Sequence, residues 1–307
     1  DYETIHEKFP HIVWAQMRGY GERGPERDTK GFDATAYSAR GGLFASIPQA
    51  GEHYAPGNVP AAFGDWNASL ALTAGILAAL VRKDHCGEGD KVTVNLYHMA
   101  CWAFQHGLGG VQFGDEWPKS RKHVTCPTNN SYVSSDGIWF LMCFGNYNKY
   151  ADLVFRTLEM DPKWATDPET ATLEAMADNG KYVDVVAEMH KACKKFTFAE
   201  LEKRFRENDI PFEKIQTVKD VLSDQEAFDN DQLRKIPYED QGYDKGPGFP
   251  NDGTYTVTTM PFRLASLGDP VLYRSRPVGY DTRKILKQYG YTDADVDKLV
   301  DDGAVLC

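Results

Sequence analysis

A glycine-aspartate pair that runs directly into a long small-residue helix is the feature that most constrains this chain. The segment 63–67, FGDWN, leads into the apolar stretch 68–81. Asp and Asn favour helix N-termini because their oxygens accept unpaired amide hydrogens and because the helix dipole stabilises an ionised carboxylate there. Gly64 lacks a side chain, so another molecule can approach the backbone closely. Asp65 is therefore either a helix cap or an approachable nucleophilic carboxylate.

Composition excludes several function classes. The chain has 307 residues and a net charge of -11, which argues against nucleic acid or an anionic membrane as the main partner. The longest apolar run, Leu70–Val81, is shorter than the roughly 18 residues of a membrane span. The six cysteines are scattered and the histidines form no ligand pair, so we expect reduced thiols, a cytoplasmic location and no metal site.

Hydrophobic patterning predicts an α/β chain with an inserted α+β part. Strands are expected at 12–17 and 92–96, with helices at 32–43 and from residue 65 onward between them. A hairpin signal at 131–143 and helices over 148–208 begin a second part. We therefore predict a large α/β domain built from residues 1–115 and 228–307, with a smaller α+β domain at 116–227.

The glycine pattern Gly19-x-Gly21-x-x-Gly24 follows the first expected strand. A dinucleotide site needs the third glycine inside an opening helix that points at the pyrophosphate. Pro25 and three charged residues follow at once, so a tight glycine loop is the favoured interpretation. A nucleotide-linked oxidoreductase remains an alternative function from this pattern.

Three motifs in sequence order, together with a closing helix, resemble those of the family III CoA-transferases, the group of formyl-CoA transferase and carnitine CoA-transferase. The motifs are RGYGxxGPxxDxxGFD at 18–33, Gly64-Asp65 followed by TAGILAAL at 73–80, GEGDKVTVNL at 87–96, and GYTxxxVxxL at 290–299. The resemblance covers nearly the whole chain. The sequence of the first twenty residues is similar to that of the branch that acts on aryl-lactates and other 2-hydroxyacids in anaerobic amino-acid fermentation.

The resemblance implies specific roles and an architecture. Asp65 falls on the family nucleophile, which attacks an acyl-CoA thioester and forms anhydride and aspartyl-CoA thioester intermediates. Arg18 and Tyr20 match positions that line the coenzyme A site. The implied fold is a Rossmann-like large domain with a smaller domain in an interlocked homodimer. Coenzyme A is then a substrate, and no permanently bound cofactor is expected. Because the family's N-terminal nucleotide-fold segment is missing, we expect this chain to be the C-terminal portion of a longer protein.

Two further alternatives remain open at this point. Acyl-CoA racemases of the same superfamily use a histidine in a Gly-His-Asp motif, which reads Gly31-Phe32-Asp33 here. A phenyl ring cannot transfer a proton, so racemisation is disfavoured. A non-catalytic subunit is the other alternative.

Overall fold

A computed structural model gives the structure of the chain in two compact units, Asp1–Lys214 and Ile215–Cys307. The residues it describes are 1–47, 57, 59–122, 124–237, 254–268, 271–272 and 276–307. Most of the loop expected at 49–60 lies outside these residues. The predicted three-part division, including a return of 228–307 to the large domain, stays a prediction.

The first unit opens with a helix and a parallel strand pair. Helix α1 (Tyr2–Lys8) precedes β1 (Trp14–Arg18), which pairs in parallel with β2 (Lys91–Asn95). Parallel strands require a crossover connection, and helices supply it here. The connecting helices are a π-helix at Asp33–Ala39, α2 (Leu43–Ser46) and α3 (Phe63–Cys86). This arrangement matches the α/β order expected from the sequence.

Helix α3 packs closely on the sheet through a small residue. A Cβ atom placed on Gly75 would lie 2.5 Å from Cγ1 of Val92 on β2. The helix ends at Gly87, which adopts the left-handed conformation with φ 78° and so allows the chain to turn out of the helix. Beyond β2 the chain forms two further helices, α4 (Leu96–Ala103) and α5 (Gln105–Val111). The chain leaves the helical conformation at Phe104, which separates the two.

The start of α3 corrects the cap prediction. Its N-cap is Ala62, which lies at φ 67° and makes no side-chain capping bond, and Asp65 is the third helical residue. With 24 residues and a hydropathy of 1.3 in its most apolar window, α3 is long and apolar enough to cross a membrane by length and composition alone. Core helices of soluble proteins meet the same criterion, so the helix assigns no membrane location.

The remainder of the first unit is an antiparallel sheet covered by helices. The strand order is β3–β4–β5, with β3 at Asn129–Val133, β4 at Trp139–Cys143 and β5 at Phe212–Lys214. Five helices connect β4 to β5: α6 (Tyr147–Thr157), α7 (Lys163–Thr166), α8 (Leu173–Asn179), α9 (Tyr182–Cys193) and α10 (Phe198–Glu207). Tyr132, Phe140 and Met142 are fully buried on the sheet and pack with Leu201 and Phe205. Their burial forms the main core of the unit.

Helix α10 begins with a capping box. The Thr197 hydroxyl accepts a hydrogen bond from the Glu200 amide, while a Glu200 carboxylate oxygen accepts one from the Thr197 amide at 2.8 Å. This last bond lowers the pKa of Glu200. The charged form of Glu200 therefore stabilises the fold above the ordinary glutamate range, and the contribution is lost as the pH falls through the lowered pKa.

Replacing Thr197 with alanine is expected to lower the free energy of unfolding by about 1 kcal/mol at neutral pH, because the Glu200 amide loses its acceptor and the Glu200 carboxylate loses the hydroxyl donor of Thr197. Urea unfolding measures the change. Lys203→Ala, at an exposed position of the same helix, is the control and should leave stability nearly unchanged. A difference between the two variants that does not shrink in acid would contradict the role given to Glu200.

The second unit combines short helices with one antiparallel strand pair. The strands β6 (Leu233–Pro237) and β7 (Thr254–Thr258) pair with each other. The helices are α11 (Val218–Val221), α12 (Gln225–Asp229), α13 (Thr282–Gln288) and α14 (Asp293–Asp301). Thr292, a residue type favoured at helix N-caps, caps α14. Arg283 joins the last two helices by ion pairs with Asp293 and Asp297.

Candidate active site

A cavity of about 750 Å³ lies at the carboxyl ends of the two parallel strands. Arg18 is the last residue of β1 and Leu96 follows the last residue of β2, and both line it. In open α/β sheets this edge is where ligands bind. The other lining residues are Met17, Gly19, Gly31, Phe32, Asp33, Ala34, Phe44, Val59, Ala61, Ala62 and Asp65.

Asp65 presents a partly exposed carboxylate to this cavity. It lies in the first turn of α3. Among the described residues, no hydrogen-bond donor or cation pairs with its side chain. The carboxylate oxygens therefore remain available to a ligand.

Asp33 fixes the backbone immediately before Asp65. One of its carboxylate oxygens accepts a hydrogen bond from the Gly64 amide at 2.6 Å. That amide is one of the first-turn donors of α3 with no partner inside the helix, so the bond satisfies a helix terminus in place of a side-chain cap. Burial, with a smaller effect from the Asp33 charge, raises the pKa of the neighbouring Tyr37, which keeps this phenol neutral.

Gly64 leaves no room for a side chain at this point. A Cβ atom there would lie 2.2 Å from Cγ of Tyr37 and 2.6 Å from the bonded oxygen of Asp33. These distances are far below van der Waals contact. The glycine of the Gly-Asp motif is thus needed for packing against the π-helix, in addition to any approach of a ligand to the backbone.

Arg18 supplies positive charge to the same cavity. Its guanidinium donates a hydrogen bond to the carbonyl oxygen of Arg27 at 3.2 Å, and in the described part of the chain it forms no ion pair with a carboxylate. A guanidinium that pairs with no described carboxylate is suited to a phosphate or carboxylate group of a ligand.

Tyr20, the other residue matched to the coenzyme A site, packs against Tyr97 and Arg40. Its ring is 6.5 Å from that of Tyr97, and the guanidinium of Arg40 lies 5.1 Å from the Tyr20 ring centre. Arg40 also pairs with Glu26. Tyr20 is absent from the cavity lining, and its contact with coenzyme A stays a prediction.

The glycine pattern at 19–24 does not open a helix. The chain after β1 forms turns up to residue 32, and the next helix starts at Asp33. A Cβ atom on Gly19 would lie 2.4 Å from Cα of Gly31, so the two glycines let the loop fold back on itself. The geometry required for a dinucleotide fingerprint is missing, and the tight-loop interpretation is the correct one.

Sequence reasoning placed Asp33 in the expected helix at 32–43 and in the motif at 18–33, and it assigned this residue no role at Asp65. Its contact with Gly64 joins positions 31 apart in the chain. In the sequence, the only indication of a role for Asp33 is its place in the Gly31-Phe32-Asp33 motif.

Comparison with known proteins gives one consistent result. Residues 1–268 match the family model described as CoA-transferase family III. The chain is 34% identical to a (R)-2-hydroxy-4-methylpentanoate CoA-transferase of Clostridioides difficile over 99% of its length. It is 32% identical to a cinnamoyl-CoA:phenyllactate CoA-transferase of Clostridium sporogenes over 100% of its length.

A solved structure shows the same fold. The crystal structure of a CAIB/BAIF family protein from Brucella suis superposes with a TM-score of 0.70 over 94% of this chain, at 20% identity. The chain spans 72% and 71% of the two curated relatives and 65 to 70% of the solved structures that it matches.

Proposed function

The chain belongs to CoA-transferase family III, and from this premise we propose that it moves coenzyme A from an acyl-CoA donor to a carboxylic acid acceptor through covalent chemistry on Asp65. The observation that supports this most directly is the carboxylate of Asp65, which has no described hydrogen-bond or ion-pair partner and lines a cavity together with Arg18, whose guanidinium pairs with no described carboxylate. A carboxylate is ionised at neutral pH and needs no general base to act as a nucleophile.

The proposed reaction has four balanced steps. An Asp65 oxygen attacks the donor thioester carbon, the carbon–sulfur bond breaks, and the electron pair leaves on the coenzyme A thiolate. The thiolate then attacks the Asp65 carbonyl of the mixed anhydride, which releases the donor acid and forms an aspartyl-CoA thioester. The acceptor carboxylate attacks this thioester to give a second anhydride and thiolate. The thiolate finally attacks the acceptor carbonyl and regenerates the Asp65 carboxylate.

The residues around Asp65 suit this sequence of steps. Each tetrahedral intermediate carries an oxyanion, and the positive end of the α3 dipole together with the charge of Arg18 can stabilise such an anion. Asp33 holds the Gly64 amide and so orients the turn that carries the nucleophile. Phe32, in the position of the racemase histidine, has no proton to exchange, which favours transfer over racemisation.

We further propose that the acceptor is a 2-hydroxyacid or aryl-lactate. The names of the two curated relatives at 34% and 32% identity support this class. We also propose that the protein forms an interlocked homodimer and is located in the cytoplasm. The exposed apolar side chains of α3, among them Leu77 and Val81 at 58% exposure each, support a dimer because a second chain would bury them.

Trapping the intermediate tests the proposed function. Incubation of the full-length enzyme with a panel of 2-hydroxyacyl-CoA and arylacyl-CoA donors, followed by peptide mass spectrometry, is expected to reveal acyl or coenzyme A adducts on Asp65. Hydroxylamine should convert the same residue to a hydroxamate. Asp84, exposed on the same helix, provides the internal control and should stay unmodified. Transfer of coenzyme A without any modification of Asp65 would refute the covalent route.

A further inference from the structure

The cavity beside Asp65 has an apolar wall that includes an exposed phenylalanine. Phe32 exposes 66% of its surface and Met17 exposes 37%, although both line the cavity. Phe44 and Leu96 extend the same wall. Large apolar side chains grouped with a few polar ones around a concavity are typical of sites for small molecules with an apolar part.

Phe32 is held in a fixed relation to Asp65. Its amide donates a hydrogen bond to the Thr35 hydroxyl at 2.9 Å. The next residue, Asp33, accepts the hydrogen bond from Gly64, which directly precedes the nucleophile. The chain neighbour of Phe32 is thus hydrogen-bonded to the chain neighbour of Asp65. The exposed ring lies on the anchored start of the π-helix and not on a free loop.

The charges of the cavity limit how many carboxylates a ligand can carry. Among its described lining residues, Arg18 is the one cation, whereas Asp33 and Asp65 both bear carboxyl groups. One ligand carboxylate can pair with Arg18 on its way to Asp65. A second ligand carboxylate would face the apolar wall or Asp33, where it loses hydration without gaining a cation.

We propose, resting on the function proposed above, that Phe32 is the specificity-determining residue of this site. Its ring contacts the side chain of the acid while the reacting carboxyl group lies between Arg18 and Asp65. The site therefore selects monocarboxylic acids with a branched or aryl side chain over short acids and over dicarboxylic acids.

Steady-state kinetics with a panel of acceptor acids tests this proposal. The probes are phenyllactate, 2-hydroxy-4-methylpentanoate, lactate and glutarate, with one common acyl-CoA donor and full-length enzyme. For Phe32→Ala we expect kcat/KM to fall roughly tenfold to a hundredfold for the two bulky acids, the range expected when a ligand loses the burial of an aromatic ring. The value for lactate should change by less than about threefold. Phe32→Leu should lie between the alanine variant and the wild type for the bulky acids.

Matched controls separate specificity from other failures. Phe113, which is 93% exposed and outside the cavity, gives the control Phe113→Ala, whose selectivity should equal that of the wild type. If kcat/KM of Phe32→Ala fell by the same factor for all four acids, so that the ratios between the acids stayed as in the wild type, the proposal would be overturned. So would a wild-type enzyme that prefers glutarate. If no acid accepts coenzyme A and Asp65 forms no adduct, the proposed function itself fails. Adducts on Asp65 with unchanged Phe32 selectivity refute only the specificity role.

Discussion

Replacing Asp65 with asparagine is expected to reduce kcat/KM for coenzyme A transfer on the order of 10⁴-fold or more, as the loss of a covalent nucleophile does in other enzymes. The amide has nearly the same shape as the carboxylate, and the Asp65 side chain makes no hydrogen bond or ion pair with another described residue that the substitution would break. The fold and the affinity for coenzyme A should therefore persist. Initial rates of exchange between an acyl-CoA and a free acid, followed by chromatography, measure the loss.

Two companion variants sharpen the test of Asp65. Asp84→Asn changes the same residue type at an exposed position of α3 and should retain wild-type rates. Asp65→Glu keeps the charge but moves the carboxylate by one methylene, so we expect it to recover only part of the activity because covalent catalysis depends on geometry. Retention of more than about a tenth of the activity in Asp65→Asn would exclude the nucleophilic role.

The elements that the sequence predicted correctly are those with a local signal. The strand at 12–17 and the hairpin at 131–143 were visible as apolar patterns. Thr292 was visible as a cap because its side chain bonds within its own first turn. The helical pattern expected over 148–208 gives no boundary at Gly180, yet this residue adopts φ 65° and separates α8 from α9. The low helix propensity of the glycine is a weaker signal in the sequence than the helical spacing of the apolar residues on both sides of it.

The start of α3 could not be read from the sequence. Asp65 has the residue type of a cap, yet the helix begins two residues earlier because Asp33 satisfies the Gly64 amide from outside. This contact joins two distant segments, and no local propensity encodes it. For the same reason the sequence could nominate Arg18 and Asp65, while their position in one cavity depends on the parallel pairing of β1 and β2.

Replacing Gly64 with alanine is expected to damage both stability and activity. The added methyl group would lie 2.2 Å from the Tyr37 ring and 2.6 Å from the Asp33 carboxylate, so the start of α3 must shift. Overpacking of this kind costs about 1–3 kcal/mol in unfolding free energy. A displacement of roughly 1 Å at a nucleophile lowers rates about a hundredfold. Thermal unfolding and kcat/KM for coenzyme A transfer measure the two effects separately.

Two glycine controls decide whether the activity loss arises at the site. Gly75→Ala, on the same helix, would press on the Val92 side chain at 2.5 Å and should cost stability with little change in kcat. Gly109→Ala, inside α5 and with no atom within 4 Å of the added Cβ, should leave kcat unchanged and should not lower stability. If Gly64→Ala lost stability to the same degree as Gly75→Ala but kept the wild-type kcat, the Gly64 position would matter only for packing. Gly64→Ala and Gly75→Ala share the packing defect but differ in their distance from the nucleophile. A loss of kcat in Gly64→Ala alone would therefore show that the Asp33–Gly64 contact positions Asp65.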